Sequence, residues 1–252
     1  MQLWRILREE RLTYVSFRLL RICPNTYVYT KSAAEDMIQK HAKSISIGFF
    51  RPAIVTSTYR EPFPGWIDNI NGPVGITASV FMGLMRTHYC DGSLKIDLVP
   101  GDLTINDLIA SAWNISNKHR DDIPIYNYIS EDNVITYNRL KKILFKYGQL
   151  MPFKEAIWYC SLNITKYRPV YLFYVYFLYL LLLAFIIDTI ALCLYKRPRL
   201  LRMYNKIHKI SDNFGYFSMN EWNLTNERWN ELMRNLTPAD DELFFCNIKK
   251  LD

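Results

Sequence analysis

The order of apolar and polar residues over the first 130 positions changes repeatedly between a helical period and a strand period. Apolar residues at helical spacing predict a helix from about Thr26 to Lys43, with Asn25 as its N-terminal cap. The near-continuous apolar run from Ser44 to Val55 is typical of a buried strand in a parallel sheet. Shorter patterns predict strands over 96–99 and 123–129 and a helix over 102–113. A helix that leads into a buried strand indicates an α/β domain.

A loop interrupts this pattern between residues 56 and 73. Its proline, glycine and asparagine content excludes a long regular element. Because it follows the carboxyl end of a predicted parallel strand, it lies where open sheets bind ligands. From residue 131 onward the pattern becomes helical without further alternation, so we place a domain boundary there.

The segment 170–194 contains a single charge, Asp188, and as one helix would be about 37 Å long, enough to cross a bilayer. The alternative is a helix buried in a large helical domain. The apolar run over 170–187, with aromatic residues near one end, favours membrane contact. Asp188 lies near the end of the segment, so both a spanning and a shallow placement stay open.

Composition restricts the possible functions only in part. The formal charge of +7 and the pI near 9.1 suit an acidic partner, which could be a nucleic acid, an anionic membrane or a phosphorylated substrate. The five cysteines are scattered and form no CxxC pair, which argues against a disulfide framework and a zinc site. The four histidines have no ligand spacing, so we expect no metal.

Tyr27 and Lys31 are four residues apart and fall on one helix face. An ammonium beside a phenol favours the phenolate, which lets the hydroxyl act as a general acid toward a carbonyl oxygen. About one such spacing is expected by chance in this composition, and Tyr137 with Lys141 is a second instance. The context favours Tyr27, which opens a capped helix before a buried strand, and we expect Tyr137 on a solvated helix face.

Four stretches, in the same order and at compatible spacings, resemble the fatty acyl-CoA reductases. They are PNTYVYTKSAAE (24–35), RPAIV (51–55), REPFPGWIDNINGPVG (60–75) and DLVPGDLTIN (97–106). The tail, with RPRLLRMYNKIHK from Arg197 and PADDELFFCNIKKLD from Pro238, is similar to the C-terminal helical domain of that family. The proline- and tryptophan-rich stretch is far more specific than the tyrosine–lysine pair.

The resemblance implies an α/β fold: a partial Rossmann-like domain of the extended short-chain dehydrogenase type that lacks its first half. A mainly helical domain with one membrane-inserting helix would follow. In this chain, residues 1–23 would be an atypical basic segment outside the resemblance, residues 24–130 the second half of the NADP-binding and catalytic domain, and residues 131–252 the helical domain with its hydrophobic helix at 170–194.

The family implies NADPH-dependent reduction of a long-chain acyl-CoA to a fatty alcohol. The protein would be associated with the membrane of the endoplasmic reticulum or peroxisome, with its catalytic part facing the cytosol. Tyr27 would protonate the developing alkoxide, and Lys31 would lower the pKa of Tyr27 and bind the nicotinamide ribose. The nicotinamide would be bordered by Pro52, Ala53 and Ile54. Candidates for the acyl channel, or equally for loop packing, are Phe63, Pro64, Trp66 and Ile67. The partners implied are long-chain acyl-CoA and membrane lipid, without nucleic acid or metal, and the oligomeric state stays open.

Departures from the family pattern keep two rival hypotheses open. The sequence contains no GxGxxG turn, which in this family binds the pyrophosphate. The upstream serine or threonine of the family's catalytic group has no counterpart in residues 1–23. Gly101 stands where the family usually has a bulky apolar residue. We therefore expect a truncated form. One rival is a non-catalytic membrane or interaction relative without cofactor binding. The other is a sterol-type dehydrogenase, against which the loop at 60–73 argues.

Overall fold

The computed structural model describes residues 23–42, 45–117, 122–130, 133–195, 197–198 and 200–251. Its α-helices are α1 (Thr26–His41), α2 (Gly72–Phe81), α3 (Gly101–Asn117), α4 (Tyr137–Leu150), α5 (Arg168–Leu172), α6 (Phe185–Cys193), α7 (Leu200–Ser218), α8 (Glu227–Asn235) and α9 (Pro238–Leu243). A π-helix (Phe173–Ala184) joins α5 to α6, and a 3₁₀-helix (Ile248–Lys250) lies near the C-terminus. The strands are β1 (Phe49–Pro52), β2 (Ile54–Thr56), β3 (Thr87–Tyr89), β4 (Lys95–Ile96), β5 (Leu98–Pro100), β6 (Ile125–Tyr128), β7 (Ile135–Thr136) and β8 (Asn163–Thr165).

Strands β1 and β2 form one central strand with a parallel neighbour on each side. β1 pairs with β6, and β2 pairs with β5, both in parallel. The amide of Ala53 donates to the carbonyl of Tyr128 at 2.8 Å, whereas the next amide, that of Ile54, donates to the carbonyl of Asp97 at 3.2 Å. Successive amides of a strand point to opposite sides, so β5 and β6 flank this strand on its two edges.

The predicted parallel pairing of this strand is confirmed, but the expected burial is not. In this segment Phe49 is buried, whereas Arg51, Pro52 and Val55 are exposed. The strand also begins at Phe49 rather than near the start of the expected segment, because the chain pairs with β6 only from that residue onward.

Two further strand pairs link distant parts of the chain. β3 pairs in parallel with β8, and β4 pairs antiparallel with β7. Strands that follow residue 131 therefore pair with strands that precede it. Helix α2, whose first two residues were expected to lie in the loop 56–73, packs against α7 and α4.

Residues 227–251 pack onto the central strands, with which they share a cluster of buried side chains. Buried side chains from both regions form one cluster: Val99, Leu103, Tyr128, Trp229 and Ile248. The Tyr128 hydroxyl donates to the carbonyl of Cys246 at 2.8 Å, which fixes the C-terminal segment against β6. Helix α8 also contributes the fully buried Leu232, which contacts Ala110 and Tyr126.

The expected single membrane-inserting helix over 170–194 is not supported. Across the described residues, none of the helices combines the length and the apolar character needed to cross a bilayer. The segment is instead divided into α5, the π-helix and α6. It packs on protein, because Tyr171, Val175 and Ala184 are buried, and because the carboxylate of Asp188 accepts the amides of Leu200 and Leu201 at 3.1 and 2.9 Å. Of the expected N-terminal segment 1–23, all but Cys23 lies outside the described residues.

Candidate functional site

Helix α1 carries Tyr27 and Lys31 on one solvent-accessible face. Its first turn is capped by Asn25, whose side-chain oxygen accepts the amide of Val28 at 2.9 Å, as the sequence predicted. Tyr27 is 62 % exposed, and the ammonium of Lys31 lies 5.8 Å from the centroid of the Tyr27 ring. The two side chains are therefore neighbours, and a ligand can reach both. The Tyr27 ring also meets Phe217 edge-on, with centroids 6.4 Å apart.

A bidentate ion pair joins α1 to the central strand. One guanidinium nitrogen of Arg51, Nε, donates to Glu35 Oε1 at 3.1 Å, and a second, Nη2, donates to Glu35 Oε2. Glu35 follows Lys31 by four residues, so it lies on the same helix face as the tyrosine–lysine pair. Arg51 immediately precedes Pro52. The ion pair thus connects the helix that carries Tyr27 to the strand expected to border the nicotinamide.

The three residues Pro52, Ala53 and Ile54 lie where the central strand changes its neighbour from β6 to β5. Pro52 is exposed, and Ala53 and Ile54 are half-buried. The chain then enters the loop at the carboxyl end of β2, the end at which parallel sheets bind ligands. This placement fits a role at the rim of a cofactor site.

The loop that follows β2 presents its aromatic residues to solvent. Phe63 is 57 % exposed and Trp66 40 % exposed, whereas Ile67 is half-buried. The loop is attached to the start of α3, because the backbone amides of Tyr59, Arg60 and Glu61 all donate to the carboxylate of Asp102. Among the contacts of the described residues, none joins these three side chains to Tyr27.

The second tyrosine–lysine pair has a different environment. Tyr137 opens α4 and is half-buried, not solvated as expected, and burial together with the nearby Cys90 raises its pKa above the ordinary value. The ammonium of Lys141 faces the ring of Phe145, 5.7 Å from its centroid. A raised pKa makes the Tyr137 phenolate harder to form, which is the opposite of what the proposed chemistry needs.

Sequence reasoning missed Glu35, Arg51 and Asp102. Glu35 could have been found from its spacing, because it follows Lys31 by four residues, as Lys31 follows Tyr27. Asp102 stands in the first turn of α3, where an acidic residue is favourable for the helix itself, so the sequence offered no separate sign of its contact with the loop. Arg51 has no local signal, because its partner is sixteen residues away.

Comparison with known proteins identifies the family to which the chain is similar. Two family models, both described as male sterility protein, match the chain: the NAD-binding model over residues 7–108 and the Sterile model over residues 179–252. The NAD-binding match begins inside the segment 1–23 that we had placed outside the resemblance. Fatty acyl-CoA reductase wat of Drosophila melanogaster is 37 % identical over 247 residues, which cover 98 % of this chain and 48 % of that protein.

The chain belongs to the fatty acyl-CoA reductase family. Fatty acyl-CoA reductase 1 of Homo sapiens is 30 % identical over 90 % of the chain and 44 % of its own length, and the human fatty acyl-CoA reductase 2 is 27 % identical over 93 % and 46 %. The chain thus spans about half the length of the curated fatty acyl-CoA reductases that it matches. The resemblance seen in the sequence is confirmed, and the matched NAD-binding model agrees with a nicotinamide cofactor.

Proposed function

We propose that this protein takes part in the NADPH-dependent reduction of a long-chain fatty acyl-CoA to a fatty alcohol. The observation that carries the proposal is the pairing of Tyr27 and Lys31 on an accessible helix face, in a chain of the fatty acyl-CoA reductase family. The positions of Pro52 to Ile54, where the central strand changes its neighbour from β6 to β5, support the same proposal.

When bound, a reduced nicotinamide would supply hydride to the thioester carbonyl carbon, and a second would supply the hydride that converts the resulting aldehyde to the alcohol. The CoA thiol would leave between these two steps. Tyr27 would donate its phenolic proton to the carbonyl oxygen as negative charge develops there. Lys31 would stabilise the phenolate that remains and would hold the ribose hydroxyls of the cofactor. Glu35 and Arg51 would keep the helix in place against the strand that borders the nicotinamide ring.

The acyl chain would lie against the loop after β2. Phe63, Trp66 and Ile67 offer apolar surface to an alkyl chain. Pro52, Ala53 and Ile54 would separate this surface from the nicotinamide. We also propose the division expected from the sequence, with the NADP-binding half over residues 24–130 and the helical half over residues 131–252.

Replacement of Tyr27 by Phe tests the proposed acid. General acid catalysis contributes about 10²–10⁴-fold to a rate, so Tyr27→Phe should lower the rate of acyl-CoA-dependent NADPH oxidation by at least about 100-fold. Tyr137→Phe is the matched control, because it removes the hydroxyl of the second tyrosine–lysine pair, and it should retain the wild-type rate. Equal loss in both variants, or turnover by Tyr27→Phe at the wild-type rate, would remove Tyr27 from this role.

We further propose that the protein associates with a membrane surface through the segment 168–195 without requiring a helix that crosses it. Large apolar side chains of this segment are exposed, among them Phe177, Phe185, Ile190 and Leu194. Such a surface can lie in the interface of a bilayer. Cosedimentation with anionic vesicles should be strong for the wild-type chain and should fall for Phe185→Ser with Ile190→Ser, and equal binding of both proteins would contradict the proposal.

A further inference from the structure

The loop expected to contact the acyl chain is bound at its start by one carboxylate. Asp102 Oδ1 accepts the amide of Tyr59 at 2.8 Å, and Oδ2 accepts the amides of Arg60 and Glu61 at 2.7 and 3.1 Å. Burial raises the pKa of Asp102, but the hydrogen bonds from these three amides and from that of Leu103 outweigh it, so the pKa lies below its usual range. The carboxylate therefore stays ionised and keeps all three bonds at neutral pH.

The rest of the loop is closed on itself. The amide of Thr58 donates to the carbonyl of Trp66 at 3.0 Å, and the amide of Gly65 donates back to the carbonyl of Thr58 at 2.8 Å. The Thr58 hydroxyl donates to the carbonyl of Phe63 at 2.8 Å. Gly65 has a φ of +82°, which residues with a side chain rarely adopt. Since residues 58–66 form one hydrogen-bonded unit, the placement of residues 59–61 also places Phe63 and Trp66.

The C-terminal segment contacts the same part of the loop through the side chain of Phe245. The Phe245 ring stacks on Tyr59 with centroids 6.3 Å apart, and the guanidinium carbon of Arg60 lies 4.5 Å from the Phe245 centroid. The carbonyl of Phe245 accepts from the side-chain nitrogen of Asn106 at 3.2 Å. Asn106 is one turn after Asp102 on α3, so one helix fixes both the loop and the segment packed against it.

We propose that Asp102 and Phe245 are positioning residues of the acyl-binding site: they set the loop that presents Phe63 and Trp66 to the substrate without touching the substrate themselves. This inference rests on the proposed function and deepens it. It assigns a role in substrate recognition to a residue of the region matched by the Sterile family model, which is far from the tyrosine–lysine pair in sequence.

Limited trypsin digestion measures how often the start of the loop opens. Trypsin cleaves after Arg60, and the amides of Tyr59, Arg60 and Glu61 are the ones that donate to Asp102. We expect initial cleavage at this bond, identified by mass spectrometry, to be about tenfold faster in Asp102→Ala, because cleavage requires local opening. Asp102→Asn should be intermediate, since it keeps one acceptor oxygen. Phe245→Leu should also be cleaved faster, and it leaves the first turn of α3 intact. The control Asp122→Asn removes an exposed ion pair with Arg228 and should be cleaved like the wild type.

Steady-state kinetics separate positioning of the loop from a general loss of structure. Asp102→Ala and Phe245→Leu should raise KM for acyl-CoA by about tenfold, with kcat and the Kd of NADPH within about twofold of the wild type. If the wild-type chain neither binds nor reduces acyl-CoA, the proposed function fails and this inference fails with it. If the wild type is active but both variants keep its cleavage rate and its KM, only the inference is overturned.

Discussion

Asp107 is the most deeply buried carboxyl group in the contact between α3 and α8. Its side chain is fully buried, and burial raises its pKa to about 7, while the indole N–H of Trp229 acts in the opposite direction. Among the described residues, neither carboxylate oxygen forms a hydrogen bond of regular geometry, and neither does Trp229 Nε1. An ionised group without good partners in such a place is costly. Asp107 should therefore reduce stability at neutral pH.

Replacement of Asp107 by Asn should stabilise the protein, and more so at high pH. The folded carboxyl group keeps its proton up to about pH 7, whereas the unfolded chain releases it near 3.8, so the wild type loses stability as pH rises between these values. The free energy of unfolding of Asp107→Asn relative to the wild type should rise by about 2–3 kcal/mol between pH 5 and pH 8. Urea denaturation at both values checks this, with the exposed Asp36→Asn as control. The same gain at both pH values would contradict it.

Individual residues were predictable from sequence where the signal is local. Asn25 caps α1 as expected, and Tyr27 and Lys31 are neighbours because residues four apart share a helix face. The contact of Asp102 with the loop was not predictable, since it spans more than forty residues and depends on the tertiary fold. The same holds for Arg51, whose ion pair with Glu35 requires α1 to lie against β1.

Helix α7 and strand β3 meet through two buried histidines. His88 Nδ1 and the Ser211 hydroxyl are 2.7 Å apart, and the His208 ring stacks on Tyr204 with centroids 5.9 Å apart. Burial lowers the pKa of His88 to about 4, helped by repulsion from His208, and burial lowers that of His208 to about 4 as well. Both imidazoles are therefore neutral in the folded protein at physiological pH.

This contact should weaken in acid. In the unfolded chain both histidines take up a proton near pH 6.5, whereas in the folded chain they do so only near 4, so stability is complete above 6.5 and is lost as pH falls toward 4. Each histidine should contribute a loss of about 3 kcal/mol over this interval. His208→Phe keeps the stacking on Tyr204 and should remove roughly half of the loss, as measured by thermal unfolding across pH 7 to 4. The exposed His41→Gln should leave the acid profile unchanged, and an unchanged profile for His208→Phe would refute the assignment.

Elements with a long periodic pattern were predicted, and short or irregular ones were not. The helix α1, the central strand and α3 were found within a few residues of their ends. α2 was missed because it begins at Gly72 and Pro73, which read as a loop, although proline in the first turn is compatible with a helix. Strands β3 and β8 have three residues each, too few for a period-2 pattern to stand out.

In the molecule as a whole, the described residues near the C-terminus pack on the central strands. Residues near the C-terminus bind the loop beside the central strand through Phe245 and the strand β6 through the carbonyl of Cys246. Sequence periodicity carries no information on which distant segments share a core. The packing of the C-terminal segment against the loop and β6 was therefore not predictable from the sequence. The two regions matched by family models therefore meet in one cluster of buried side chains.

Binding of NADPH to the purified chain tests whether the face of α1 that carries Tyr27 and Lys31 holds the cofactor. Energy transfer from the tryptophans to the reduced cofactor would be titrated for the wild type, for Lys31→Ala and for the matched control Lys141→Ala. The wild type and Lys141→Ala should bind NADPH saturably, and Lys31→Ala should bind it at least about tenfold more weakly. A folded wild-type chain without saturable binding, or a Lys31→Ala variant that binds as tightly as the wild type, would contradict the assignment of this face of α1 to the cofactor.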